Sequence, residues 1–258
     1  MPRYFVVPYD SGHENVRMGA GPLRLAHTLG VEAERVDPPG TWRAEIGTTF
    51  ALYRELAKRV AASDELPIVF SGNCGAAVGV AAGVGINDLA ALWFDAHGDY
   101  NTPDTTDTGY LDGMAMAILT GRCWKSLALT IPGFTPLPAQ RTMHVGARDY
   151  SPGERDALLD DGVALIEPNT LGNVAFELNG IEAKRILVHL DVDVLDPQFG
   201  RANQYACDGG LTPEQILETI ELARARFTVA GLVVASYDPS CDPEGRVAAI
   251  VKRVADTF

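Results

Sequence analysis

Two short stretches of this 258-residue chain concentrate the residue types that bind cations. The first, Trp93-Phe94-Asp95-Ala96-His97-Gly98-Asp99, carries an imidazole between two carboxylates at alternate positions. If the backbone stays extended past Phe94, a spacing of two puts Asp95, His97 and Asp99 on one side of the chain. The second, Leu190-Asp191-Val192-Asp193-Val194-Leu195-Asp196-Pro197, repeats the device with Asp191 and Asp193, and Asp196-Pro197 closes a turn. Four carboxylates crowded with one histidine repel one another unless cations neutralise them. Two divalent ions carry the charge that balances Asp95, Asp99, Asp191 and Asp193, and an oxygen-rich set with one imidazole suits Mn²⁺ and its neighbours. A lone Asp-x-Asp after a strand caps a helix or closes an Asx turn as readily as it binds metal. The pairing of two such stretches is what points to a metal centre.

The elements that must position these residues follow from the apolar pattern. Residues 3–7, 66–70, 89–94, 142–145, 163–166, 186–190 and 229–235 are strand-length and largely apolar, without strict polar alternation, as suits strands covered on both faces in a parallel sheet. Helical windows lie at 22–29, 46–63, 213–226 and 245–255; Thr212 reads as an N-cap ahead of Pro213. The longest segments without clear periodicity, 95–112 and 191–210, each follow a strand directly, and ligands of open parallel sheets bind beyond the carboxyl ends of strands. No internal repeat, low-complexity tract or charged linker divides the chain, so one α/β domain over residues 1–258 is expected.

A net charge of −13 excludes general nucleic-acid binding, which draws its affinity from Lys and Arg. No stretch approaches the roughly 20 apolar residues of a membrane span, and the apolar run at the N-terminus is too short for a signal peptide. Four cysteines (Cys74, Cys123, Cys207, Cys241) without a CxxC pair read as reduced thiols, so a cytoplasmic protein with a small-molecule substrate is expected.

At the two acidic stretches the chain resembles the ureohydrolase superfamily of arginases, agmatinases and formiminoglutamases. Gly19-Ala20-Gly21-Pro22, Gly146-Ala147-Arg148-Asp149 and Gly209-Gly210-Leu211-Thr212 resemble further segments of that family. The resemblance implies a three-layer α/β/α sandwich with a central, mostly parallel sheet of about eight strands. It also implies a homo-oligomer, a trimer, hexamer or dimer. By this likeness Asp95 and Asp191 bridge two Mn²⁺ ions, His97 and Asp193 complete one site, and Asp99 serves the other. A bridging hydroxide is then the nucleophile toward an amidine or guanidine carbon, with Asp99 passing its proton to the departing amine.

The departures from the family pattern bear on substrate and metal. Ser71-Gly72-Asn73-Cys74 stands where the family has Gly-Gly-Asp-His, so Cys74 is either a thiolate ligand, favouring Zn²⁺ or Fe²⁺, or a small buried apolar residue. Asn101 and Thr108 match the arginase residues that hold a substrate α-carboxylate; Tyr110 is a candidate for the pocket floor, and Cys207 or Cys241 for its lining. Asp112 replaces a proton-shuttling histidine and is either a relay or an N-cap for the helix that follows. Ser236 replaces the acidic partner of the guanidinium, for which Asp238 or Asp242 is a substitute, and Ser151 replaces the reader of the α-ammonium group. The expected activity is therefore hydrolysis of a guanidino C–N bond in an altered arginine such as N-hydroxyarginine. A catalytically silent paralogue and a mononuclear hydrolase remain the alternatives. His13 reads as a solvated loop residue, and His27, His144 and His189 as packing or hydrogen-bonded core histidines.

Overall fold

β-branched and aromatic side chains fit a pleated surface, and runs of them become strands here because both faces of each run can be covered. The computed structural model describes residues 2–40 and 44–258. Its strands are β1 (Arg3–Val7), β2 (Tyr9–Asp10), β3 (His13–Glu14), β4 (Ala33–Arg35), β5 (Pro67–Ser71), β6 (Leu89–Phe94), β7 (Thr142–Val145), β8 (Ala164–Ile166), β9 (Arg185–Asp191) and β10 (Thr228–Ala235). Among the described residues eight of these form one sheet in the order β4-β1-β5-β10-β9-β6-β7-β8. Every neighbouring pair in it is parallel. β2 and β3 make a separate antiparallel hairpin. The expected parallel sheet is what is found, and its inner strands β5 and β6 are buried at every residue.

Helices cover both faces, giving three layers. On one face α2 (Glu45–Ala61), α3 (Ala76–Val84), α4 (Ala115–Leu119), α5 (Lys125–Ala128) and α6 (Glu154–Asp160) share a core with Phe5, Val69, Val233 and Trp93. On the other, α1 (Gly21–Leu29), α7 (Val174–Gly180), α8 (Pro213–Arg226) and α9 (Arg246–Ala255) pack with Val6, Phe70, Leu92 and Val188. The Thr212 cap is present as a full capping box: its hydroxyl accepts from the Gln215 amide while the Gln215 side chain accepts from the Thr212 amide.

Two elements escape the apolar pattern for opposite reasons. β4 is an edge strand of three half-buried residues, Ala-Glu-Arg, that needs only one row of hydrogen bonds to β1 and no apolar face. α3, Ala-Ala-Val-Gly-Val-Ala-Ala-Gly-Val, is apolar all round because neighbours enclose it, so it shows no amphipathic period. Its glycines let α2 approach closely: a Cβ on Gly79 would lie 2.8 Å from the Tyr53 carbonyl oxygen, and one on Gly83 would lie 2.8 Å from that of Ala57.

A parallel sheet sends all its carboxyl ends to one side. β5, β10, β9 and β6 are consecutive in the sheet, so the residues that follow them, Cys74, Ser236, Asp191 to Asp193, and Asp95 to Asp99, converge at one edge.

Candidate metal centre and substrate cleft

Asp95 and Asp191 sit at the ends of adjoining strands, and their neighbours are locked by short-range bonds. The Asp95 carboxylate accepts from the His97 amide at 2.8 Å, and the Asp191 carboxylate accepts from the Asp193 amide at 2.9 Å. Each is an Asx-type turn that folds the next ligand back over the strand end. The Ala96 amide donates to Asp193, 3.3 Å away, tying the two stretches together. Asp99 adopts φ 52°, a left-handed conformation that side chains rarely take. Its carbonyl accepts the Met116 and Ala117 amides at the start of α4, which holds the turn in place.

The expected ligands are brought together. Asp95, His97 and Asp193 form one cluster, and Cys74, Asp95, Asp99 and His189 form a second, deeper one; within each, the ligand atoms lie within 4.8 Å of one another. Asp95 belongs to both. Asp191 joins the deep cluster through the Cys74 thiol, which donates to its Oδ2 at 2.9 Å and lies 3.3 Å from Ser236 Oγ. Asn203 donates to Asp193 Oδ2 (3.1 Å) and to the Ser236 carbonyl (2.8 Å), bracing the far side.

The electrostatics of this cluster call for cations. Burial, followed by repulsion from Asp95, holds Asp99 well above the usual carboxylate range. Burial, followed by Asp193 and Asp95, does the same to Asp191. Burial also raises Asp193, while for Asp95 it is outweighed by the bond and charge of His97, which draw its carboxyl down. Burial alone would favour neutral His97, yet Asp193 and Asp95 push its pKa up to about 11. Burial, then Asp112 and Asp191, drives the Cys74 thiol well above its normal value. Without a cation, then, this site keeps protons on groups that ligate only when deprotonated. One oxygen of Asp99 and both ring nitrogens of His189 are buried with no hydrogen-bond partner, at a cost of about 1–3 kcal/mol for each unsatisfied group. A donor set of carboxylates, imidazole and thiol with orphaned lone pairs fits divalent metal.

Above the cluster opens a cleft of about 380 Å³ lined by Cys74, His97, Asp99, Asp191, Asp193 and the expected substrate residues Asn101, Thr108, Tyr110, Asp112 and Ser151. The Asn101 amide donates to Ser151 Oγ and to Glu154 Oε1, both at 3.0 Å. Glu154 also accepts the Tyr100 and Ser151 amides at 2.9 Å, so this one buried carboxylate shapes the whole wall. Gly98 makes room for it, since a Cβ there would lie 2.4 Å from Glu154 Cδ. Thr108 lies on the exposed rim, its hydroxyl accepting the Tyr110 amide at 3.1 Å. Tyr110 meets Tyr205 ring to ring at 5.9 Å across the cleft mouth.

Several expectations need correction. Asp112 does not cap its own helix: Oδ2 accepts from Asn73 Nδ2 (2.9 Å) and Oδ1 from the Gly75 amide (3.2 Å), across the site. Asp238 is not a cleft residue; its Oδ1 is taken by the Ser240 amide (2.9 Å) and hydroxyl (2.7 Å) in a tight turn. Asp242 lies just before α9, where its carboxylate accepts the Arg246 and Val247 amides, and it is not a cleft residue among the described residues. Neither Cys207 nor Cys241 lines the cleft among the described residues. His27 is exposed near the end of α1 rather than part of the core. His144 and His189 are fully buried as expected, but neither ring has a hydrogen-bond partner.

Sequence reasoning missed Glu154, Asn203 and His189 as site residues. Glu154 opens α6 at the end of the Gly146–Asp149 loop, where a carboxylate two residues after Pro152 reads as an ordinary helix-start residue. Arg148 supports the opposite wall: its guanidinium donates to the carbonyls of Gly146 (3.0 Å), Asp193 (3.0 Å), Val194 (3.3 Å), Cys207 (2.8 Å) and Asp208 (3.1 Å). It fastens the irregular loop after Asp193 to the end of β7.

Known proteins resemble this chain in sequence and in fold. The model of the arginase family matches residues 12–258. The N(omega)-hydroxy-L-arginine amidinohydrolase of Streptomyces lavendulae is 32% identical over 215 residues, covering 81% of this chain and 76% of the relative. An arginase of Staphylococcus aureus is 28% identical over 219 residues, covering 80% of this chain and 72% of its own length. In fold, the chain superposes on the crystal structure of arginase from Bacillus cereus with a TM-score of 0.86 at 20% identity, covering 98% of this chain and 96% of the other.

Proposed function

The chain belongs to the arginase family, and from that premise we propose that it hydrolyses a guanidino C–N bond in an arginine-derived amino acid, with N-hydroxyarginine as preferred substrate. The observation that carries the reading is the sharing of Asp95 between two ligand clusters beneath an open cleft. Cys74, Asp95, Asp99 and Asp191 would hold one divalent cation; Asp95, His97, Asp191 and Asp193 would hold the other. When bound, the two cations supply Lewis acidity toward water and toward the amidino group. The outer oxygen and imidazole set suits Mn²⁺, whereas the thiol of Cys74 makes the inner set equally suited to Zn²⁺ or Fe²⁺.

The protein's own groups do the rest. Asp99 offers a carboxylate oxygen with no other partner, placed to take the proton of the attacking water and deliver it to the leaving nitrogen. Asp112 relays protons between this floor and solvent along the cleft wall. Asn101, held by Glu154 and Ser151, sets the wall against which the substrate's carboxylate and amine would lie, with Thr108 and Ser151 presenting hydroxyls. Ser236, a neutral hydroxyl at the end of β10, stands where an acidic partner would hold a full guanidinium cation. The hydroxyl of an N-hydroxyguanidine withdraws electrons and makes the group less basic, so a neutral reader suits it better. The 32% identical relative, named for that substrate, supports the same choice.

Assays with arginine, N-hydroxyarginine, agmatine and formiminoglutamate at matched metal loading test the reading. N-hydroxyarginine should exceed arginine in kcat/KM by roughly 10²-fold, the range available when one polar group is read or missed; preference for agmatine would contradict it. A mononuclear hydrolase is the second reading, favoured by the Cys74 thiol's use as a donor to Asp191 rather than as a free ligand.

A further inference from the structure

One polar group at the site has no part in the scheme above. His189 lies inside β9, wholly buried, with neither ring nitrogen hydrogen-bonded. It is two residues before Asp191 on the same strand, so both side chains leave the same face of the sheet, His189 one layer deeper. Register places Trp93 of β6 on one side of it and Val233 of β10 on the other. Trp93 is itself two residues before Asp95. Its indole packs on the imidazole with ring centroids 3.8 Å apart and donates to Asp95 Oδ2 at 3.4 Å. The imidazole is therefore held under the acidic cluster, with a ring nitrogen within 4.8 Å of ligand atoms of Cys74, Asp95 and Asp99.

We propose that His189 is a direct ligand to the inner cation, supplying from the floor of the sheet the imidazole that Cys74 displaces from the loop after β5. This rests on the reading of the chain as a metal-dependent hydrolase. His189 differs from an imidazole that merely packs in that its ring nitrogen faces the ligand atoms of Cys74, Asp95 and Asp99 within 4.8 Å and has a lone pair without a partner. A cation among Cys74, Asp95 and Asp99 fills that lone pair. The inner site then becomes a sulfur, nitrogen and oxygen set, a combination that favours Zn²⁺, Fe²⁺ or Co²⁺ over Mn²⁺.

The molecule contains its own control. His144 occupies the same row, across Trp93 on β7, with the same complete burial and the same unpartnered nitrogens. Yet His144 belongs to neither ligand cluster among the described residues. If unpaired imidazoles in this layer were only packing, the two would respond alike to substitution.

The test is metal binding rather than turnover. The full chain, stripped and reloaded with Zn²⁺, is analysed for metal content and by X-ray absorption, beside His189→Leu and His144→Leu. Wild type should bind two zinc ions with two imidazoles between them, His97 and His189. His189→Leu should keep one ion, or bind the second at least roughly tenfold more weakly, while His144→Leu keeps both. Two ions with a single imidazole in wild type, or unchanged binding by His189→Leu, overturns the proposal and leaves the binuclear reading standing. No zinc bound by wild type overturns both. The absorption measurement needs no variant, so a substitution that fails to fold leaves the proposal open to refutation.

Discussion

The Asp95→Asn protein is expected to lose about 10³-fold or more in kcat/KM and to retain little metal. Asp95 is the residue common to both ligand clusters, so its neutralisation weakens both sites together. Loss of bound cations removes several kcal/mol of transition-state stabilisation, and each 1.36 kcal/mol is a factor of about ten in rate. The fold should survive, because an amide oxygen can still accept the His97 amide now bonded at 2.8 Å. Steady-state kinetics, metal analysis and urea unfolding on the same preparation check all three statements. An Asp95→Asn protein that kept two ions and wild-type turnover would remove the basis of the functional reading.

Asp112→Asn is expected to lower kcat by about 10²-fold and to change its dependence on pH. Burial lifts the Asp112 carboxyl to about 7 against the pull of the Asn73 side chain and the Cys74 and Gly75 amides. A relay that accepts a proton acts in its ionised form, so wild-type activity should climb as pH rises through about 7. General acid–base groups contribute about 10²–10⁴ in rate; the Asn variant should lose that rising limb along with the rate. The same shift acts on stability with a definite sign. Because the folded pKa lies above the unfolded one, the protonated carboxyl contributes stability that is fully present below about 4 and lost as pH rises through about 7. Asp112→Asn, which cannot ionise, should therefore gain stability relative to wild type at pH 8 and show little gain at pH 4, read by urea unfolding of metal-stripped protein. A variant with an unchanged pH profile would make Asp112 a structural bond to Asn73 and Gly75 alone.

The sheet was legible because parallel strands covered on both faces leave unbroken apolar runs; β1, β6 and β7 begin and end where those runs do. Elements that show no such run were hidden, whether by complete enclosure as in α3 or by lying at an edge as in β4. The candidate metal ligands were legible because Asp95, His97, Asp99, Asp191 and Asp193 fall two apart directly after strands, and a strand's period of two converts that spacing into a shared side. What surrounds them was not. Glu154 reaches Asn101 from another element, Asn203 comes from an irregular loop, and His189 sits inside a strand whose neighbours are all apolar. Their roles arise from contacts between segments far apart in sequence, which local spacing does not encode. Asp238 shows the converse error: the right residue type near the right strand end, but bonded to its own turn through Ser240.

A two-cation centre that includes Cys74 can be read directly from metal content per chain. Protein purified without added metal and then loaded with Mn²⁺ or Zn²⁺ would be compared with Cys74→Ser treated in the same way. About two ions per chain are expected in the wild type, with one lost or markedly weakened in the variant. One ion or none in the wild type, with Cys74→Ser indistinguishable from it, would rule out the two-cation centre and reduce Cys74 to a buried thiol bonded to Asp191.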